Sequence, residues 1–320
     1  MVRKAGIGFA TLLSLTFATG VAFAQDVDWK AEDEAGWAAY QEGRFSDAEV
    51  RLRAAVKAAR ALGENDPRLA TALDHLAWDL ASEEKLDEAK SVAKSALAIR
   101  EKALGAEHPD VIKSLNTNAA VLELDGKSAE ARPYYERALA LAEKVHGKDH
   151  AVVAALLDNL ATVDHTLGNT ERAEVEYKRA LALREKLAGA KPADLAPTLF
   201  NLGVLDLESG KYAEAEPLLK RALKIREEVL GAEHPEVGIS LEALGLLASK
   251  QGKHAEGETL LKRALAILEK DLGSEHPQVG QCCAHMAQCC RALGHEDEAA
   301  KLDARAKAIR DKASATTAPE

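Results

Sequence analysis

Apolar residues fall three and four apart along most of this chain, and the pattern restarts at a fixed interval. Val111, Leu115 and Leu122 form one stripe, and Val153, Leu157 and Leu160 form another. This is the spacing of an amphipathic helix. Each such stripe is followed by a glycine and then by a second stripe carrying Ala-Leu, at Ala96-Leu97, Ala138-Leu139, Ala180-Leu181, Ala222-Leu223 and Ala264-Leu265. The interval is 42 residues. It also relates the polar breaks Asn65-Asp66-Pro67, Glu107-His108-Pro109, Asp149-His150-Ala151, Glu233-His234-Pro235 and Glu275-His276-Pro277. The missing member is Lys191-Pro192-Ala193, with its proline one place early. Two glycine ladders keep the same register, Gly126 through Gly294 and Gly63 through Gly273, the latter including Gly189. Internal repetition of this kind decides the architecture.

Each unit predicts two antiparallel helices. The proline suits the first turn of a helix, where its missing N–H costs nothing. A small residue recurs in the first helix, at Ala77, Ala119, Ala161, Gly203, Gly245 and Ala287, and would let the paired helices approach closely. Seven helix pairs are expected, from about residue 31 to about residue 312. The first pair departs from the pattern, with a shorter second helix and with Trp29, Trp37 and Tyr40, as a capping unit would. Asn118 departs too, because it stands in a column of Leu76, Leu160, Leu202, Leu244 and Met286. It needs a local hydrogen-bond partner, or it softens the third pair.

Strings such as Thr198-Leu-Phe-Asn-Leu-Gly203 and the run from Tyr212 to Glu227 resemble tetratricopeptide repeats, in the longer form seen in kinesin light chains. The likeness spans nearly all of the chain beyond its N-terminal segment. It implies an all-α, right-handed α-solenoid with a concave inner surface, since such units bury their apolar faces only against neighbours. A motor role is not implied.

The ends and the charge refine this expectation. Arg3 and Lys4, the uncharged stretch Ala5–Val21 and Ala22-Phe23-Ala24 read as a secretory signal over residues 1–24. The stretch is short of the roughly 20 apolar residues of a membrane span. The chain is therefore expected to be exported, with the periplasm of a bacterium as its compartment, and to begin at Gln25. The solenoid would occupy residues 25–312, and the small, polar segment 313–320 would be a disordered tail. A net charge of −10 makes nucleic acid a poor partner.

Motifs for phosphate binding, zinc hydrolysis or serine catalysis are absent from the sequence, so no enzyme activity and no cofactor are expected. Asp and Glu alternate with Lys and Arg, as on a solvated face. The turn histidines His108, His150, His234 and His276 sit one per repeat, which favours bonding to turn backbone over a shared metal.

All four cysteines lie in Cys282-Cys-Ala-His-Met-Ala-Gln-Cys-Cys290. On a helix Cys282 and Cys289 are about 10.5 Å apart by rise, too far for a disulfide. Cys282, His285 and Cys289 share a stripe and are weak candidates for zinc or cuprous copper. Cys283 and Cys289 also occupy apolar columns, where Cys packs as a small hydrophobe.

The stronger expectation is a protein or peptide partner in the groove. Two places before the small residue stand His75, Thr117, Asn159, Asn201, Ala243 and His285. In the repeats that this chain resembles, an Asn at this position grips a peptide backbone, and Asn159 and Asn201 match it. A primary amide offers one acceptor and two donors to an extended chain, or to a neighbouring helix. Lys113, Asn116, Asp158, Thr162, Phe200 and Val204 complete the expected surface. Lys113 is the one basic member, so a carboxylate clamp is not expected. The reading is an interaction scaffold. The alternatives are metal or thiol handling by the Cys282–Cys290 helix and an accessory repeat region of an envelope complex.

Overall fold

The computed structural model describes residues 28–187 and 192–316. The expected signal segment, its cleavage point at Gln25, and Gly189 and Lys191 lie outside the described residues. Among those described there are seven helix pairs. They are α1 (Trp29–Gln41) with α2 (Phe45–Ala61), α3 (Pro67–Ser82) with α4 (Leu86–Leu104), and α5 (Val111–Leu124) with α6 (Ser128–His146). The series continues with α7 (Ala151–Thr166) and α8 (Thr170–Lys186), α9 (Ala196–Glu208) and α10 (Tyr212–Leu230), and α11 (Pro235–Lys250) and α12 (His254–Leu272). It ends with α13 (Pro277–Ala292) and α14 (Glu296–Thr316). The segment expected to be a disordered tail from Ala313 is thus helical as far as Thr316, because the last helix runs on past the length of its counterparts. Residues 317–320 lie outside the described residues. No described helix is long and apolar enough to cross a membrane.

The starts of the first helices are set by side-chain caps. Asp66 Oδ1 accepts the Arg68 N–H at 2.9 Å. The turn histidines do the same: Nδ1 of His108, His150, His234 and His276 accepts the N–H two residues on, each at 3.2 Å. For His150, His234 and His276 this satisfies a backbone donor that the helix start leaves open, whereas His108 bonds the N–H of Asp110 just before α5. Pro67, Pro235 and Pro277 occupy the first helical turn. Where the proline comes early, Pro192–Leu195 forms a 3-10 turn and α9 begins only at Ala196.

Between the helices of a pair the chain turns through a left-handed residue, Gly126 at φ +70° for example. In the second pair Glu84 takes this place at φ +62°, a conformation that crowds a Cβ. The small-residue column sets the distance within each pair. A Cβ on Gly245 would come within 2.6 Å of Leu261 Cγ, and one on Gly203 within 2.8 Å of Leu219 Cγ. Ala77, Ala119, Ala161 and Ala287 in the same column are fully buried.

Successive pairs stack with their first helices on the inside. The pairs α1/α3, α3/α5, α7/α9, α9/α11 and α11/α13 all touch, as expected on the shorter, concave side of a curved stack. The outer helices are laced by ion pairs between neighbours: Arg137–Glu101, Arg179–Glu143, Arg221–Glu185, Arg263–Glu227 and Arg305–Glu269. These account for much of the charged face expected from the sequence. Exposed pairs of this kind add about 0–1 kcal/mol each.

Asn118 and Asp79 are among the polar residues that sit in the core columns. Asn118 is buried and its Nδ2 donates to the Ala93 and Ser114 carbonyls, both at 2.8 Å, so it has its partners. Asp79 stands in the column of Val121, Val163, Leu205, Leu247 and Cys289, fully buried, with neither carboxylate oxygen bonded. Burial, aided by Glu83 and Glu49, pushes its carboxyl up to about 6.

Three stability outcomes follow from these positions. Glu84→Gly relieves the left-handed strain and is expected to raise the urea midpoint by the equivalent of about 1 kcal/mol. Gly245→Ala drives a methyl into Leu261 and should lower stability by about 1–3 kcal/mol despite alanine's better helix propensity. Asp79 holds its proton in the folded chain at a pH where the unfolded chain releases it. Its contribution is present below the ordinary aspartate value near 4 and is lost as pH rises to about 6. Asp79→Val should therefore stabilise the chain, with an advantage that widens from about pH 4 to about pH 6 and then stays level in urea titrations.

Candidate functional site

The expected groove residues come from three inner helices, α5, α7 and α9. Helical spacing brings Asn116, Asp158, Asn159, Thr162, Phe200, Asn201 and Val204 to a half-buried band along the concave side. Lys113 sits at its exposed rim and pairs with Asp110 at 2.8 Å.

Within the band the residues form three linked groups. Asn159 Nδ2 donates to Asn116 Oδ1 at 3.0 Å, joining α7 to α5. This is the bond to a neighbouring helix that the sequence offered as the alternative to peptide contact. It leaves the second acceptor–donor set, Asn159 Oδ1 and Asn116 Nδ2, with no hydrogen-bond partner among the described residues. The same column bridges pairs elsewhere, with His75 Nδ1 at 2.9 Å from Asp33 and His285 Nδ1 at 3.0 Å from Glu242.

The second group centres on Asp158. Its Oδ2 accepts from Arg184 Nε at 2.9 Å, Arg184 Nη2 at 2.6 Å and Thr198 Oγ1 at 2.9 Å. Burial pushes this carboxyl up while Arg184 pulls it down. Asp158 therefore shapes the groove rather than presenting a free charge to it. In the third group Thr162 Oγ1 lies 2.8 Å from the Tyr177 hydroxyl, and the Asn201 side chain is within reach of the same hydroxyl. Phe200 carries the Arg226 guanidinium 4.4 Å from its ring centroid. Val204 and Phe200 pack at the edge of the α10–α11 core.

The arginines were missed in reading the sequence. Arg100, Arg184 and Arg226 occupy one register of the second helices, and each reaches inward. Arg100 is 2% exposed and pairs with Asp74 and Ser114, while Ser114 Oγ also donates to Asp74 at 2.9 Å. Arg226 donates to Ser240 Oγ at 2.8 Å and pairs with Glu236 at 2.6 Å. The signal was present: Asp74 and Asp158 each stand 26 residues before an arginine. The partners lie on helices that only the pairing brings together. Beside Arg226, the residues Ala196, Pro197, Val229 and Leu230 line an apolar recess of about 390 Å³.

The weak metal set Cys282, His285 and Cys289 is not brought together. All four cysteines are buried free thiols in the core of the last two pairs, where Cys282 Sγ donates to the Leu261 carbonyl at 3.6 Å. The His285 ring is instead drawn to the buried carboxylate of Glu242 on α11. Burial raises the Cys282 and Cys283 thiols, which keeps them protonated and inert.

Comparison with curated protein sequences finds no significant match. Among solved structures, the nearly identical TPR-like repeats of a Podosopora anserina kinesin light chain are similar at 25% identity and a TM-score of 0.54, covering 65% of this chain and 98% of that one. BtubC (BKLC) from P. vanneervenii is similar at 20% identity and a TM-score of 0.60, over 73% and 94% of the two chains. A Rap protein complexed with Competence and Sporulation Factor shares the fold at 18% identity and a TM-score of 0.65, over 89% and 75%. One tetratricopeptide repeat profile matches residues 110–186, 194–270 and 241–312. A second matches residues 69–110. With these matches along most of its length and kinesin-light-chain-like repeats among its structural neighbours, the chain belongs to the tetratricopeptide repeat family.

Proposed function

We propose that this chain is an exported scaffold that holds an extended segment of a partner protein against α5, α7 and α9. The observation that carries this reading is the Asn116–Asn159 pair, which keeps one free amide acceptor and one free amide donor on a half-exposed inner surface. An extended backbone presents the complementary N–H and C=O groups. Phe200 and Val204 offer apolar contact one repeat further on. Asp158, Arg184 and Thr198 lock the floor, so little ordering is left to be done on binding. A solenoid of this general build holds a factor in the Rap complex, and the likeness to it is one of fold. The acidic surface favours neutral or basic partners through steering. Export rests on the charged, apolar and small-x-small pattern of residues 1–24.

In a pull-down from envelope extract, a partner is expected with the parent chain and with the outer-face variant Arg137→Ala/Arg221→Ala. It should be lost, by roughly tenfold or more in titration, with Asn159→Ala/Asn201→Ala. Retention by the groove variant would move the site off the concave face. N-terminal sequencing of the chain recovered from a bacterial host should begin at Gln25, and an unprocessed N-terminus would overturn export.

A further inference from the structure

The junction between successive pairs repeats a carboxylate clasp, and its last copy is built differently. In the fourth pair Glu174 Oε1 is braced by Lys178 at 2.6 Å, and its Oε2 takes Lys211 of the next turn at 2.6 Å. In the fifth pair Glu216 Oε1 is braced by Lys220 at 2.6 Å. Its Oε2 has Lys253 at 3.7 Å and the Gln251 amide at 3.1 Å. In the sixth pair Glu258 Oε1 is braced by Lys262 at 2.5 Å. Its Oε2 faces His295 Nδ1 across 4.0 Å, beyond hydrogen-bond reach. The residue in Gln251's register is now Leu293, which supplies nothing polar, and the residue in the register of Ala248 is Cys290.

The open contact is therefore surrounded by a carboxylate oxygen, an imidazole nitrogen and a sulfur. These three ligand atoms all lie within 4.8 Å of one another, the one group of three such donors so placed among the described residues. Each comes from a different stretch of the fold: Glu258 from α12, Cys290 from α13, and His295 from the turn before α14. The backbone holds two of them in place. The His295 N–H donates to the Cys290 carbonyl at 2.9 Å, through Gly294 at φ +79°. Glu258 is held by Lys262 through the oxygen that the cluster does not use.

We propose that Glu258, Cys290 and His295 form a zinc site that fastens the last helix pair to the one before it. Sulfur, imidazole and carboxylate are zinc's own donor types, and bonds of about 2.0–2.3 Å need only a small inward rotation of the three side chains. The fourth position is open to water, since His295 is exposed. The Cys290 proton leaves to the buffer as the metal binds. Without metal, burial and the charges of Glu258 and Glu298 hold this thiol above its ordinary value, and a divalent cation removes that penalty. The site is distinct from the Cys282–His285–Cys289 stripe, whose groups are not brought together: the His285 ring lies against Glu242.

The test is zinc titration of the purified, reduced chain by calorimetry, with cobalt as the optical probe. One zinc per chain is expected, with a rise in thermal midpoint and a thiolate-to-cobalt charge-transfer band. Cys290→Ala and His295→Lys install Ala248 and Lys253, the residues one repeat earlier in these registers, so both variants should fold. Each should weaken zinc binding by more than about tenfold, and Cys290→Ala should abolish the band. Cys282→Ala should change neither. No stoichiometric zinc binding, or binding and a band that survive Cys290→Ala, would overturn the proposal.

Discussion

A single helix pair of this chain has an apolar stripe on each side and too little partner to cover it. The stack exists because each pair can bury those stripes against the pairs before and after it. This holds only if the two helices within a pair lie close enough to leave a shared flat surface. The small-residue column sets that distance: Gly203 sits against Leu219 and Gly245 against Leu261, with no room for a methyl group. The stacking of pair on pair depends on that close approach being repeated along the chain.

Curvature then divides the molecule into two surfaces with different chemistry. On the outer side, charges pair across neighbouring helices in an exposed ladder whose members contribute little individually. On the inner side the polar groups are fewer and more enclosed. Arg100 and Arg184 reach from the second helices to Asp74 and Asp158, with Ser114 and Thr198 completing each set. Ala142 and Leu268 occupy the same register in other copies, so the lock is present only at some junctions. At the junctions with the lock, the arginine and the hydroxyl engage one oxygen of each carboxylate, and the other oxygen, Oδ1 of Asp74 and of Asp158, is buried without a partner. The unlocked place beside Asn116 is where the spare amide groups lie. The inner surface is thus uneven along its length, as a site for one particular segment requires.

Departures from the repeat carry most of the individuality of this protein. Glu84 in place of glycine and Asp79 in a column of valines and leucines are both destabilising choices near the N-terminal end. At the other end Cys290 and His295 replace the neutral or paired residues of earlier copies. A stack whose stability is a sum over neighbours tolerates such local costs. It also confines their effects to the junction where they occur.

The fold class, the number of helix pairs and the bonding of the turn histidines to nearby backbone could be read from the sequence, because they depend on short-range periodicity and on backbone groups two residues away. The inner column containing Asn159 and Asn201 was legible for the same reason, since its members are spaced by whole repeats. The engagement of each side chain was decided only in three dimensions. Asp158 was placed on the groove surface by its spacing, but Arg184 and Thr198, which engage it, lie 26 and 40 residues along the chain. The cysteine stripe offered a weak ligand set beside the reading of Cys283 and Cys289 as core residues, and helix packing put all four cysteines in the core and drew His285 to Glu242. Cys290 met Glu258 and His295 instead. Periodicity fixes which residues share a face, whereas the partner across an interface depends on how far each pair is rotated against the next. That rotation is set by the packing of many side chains at once, and no local stretch of sequence specifies it.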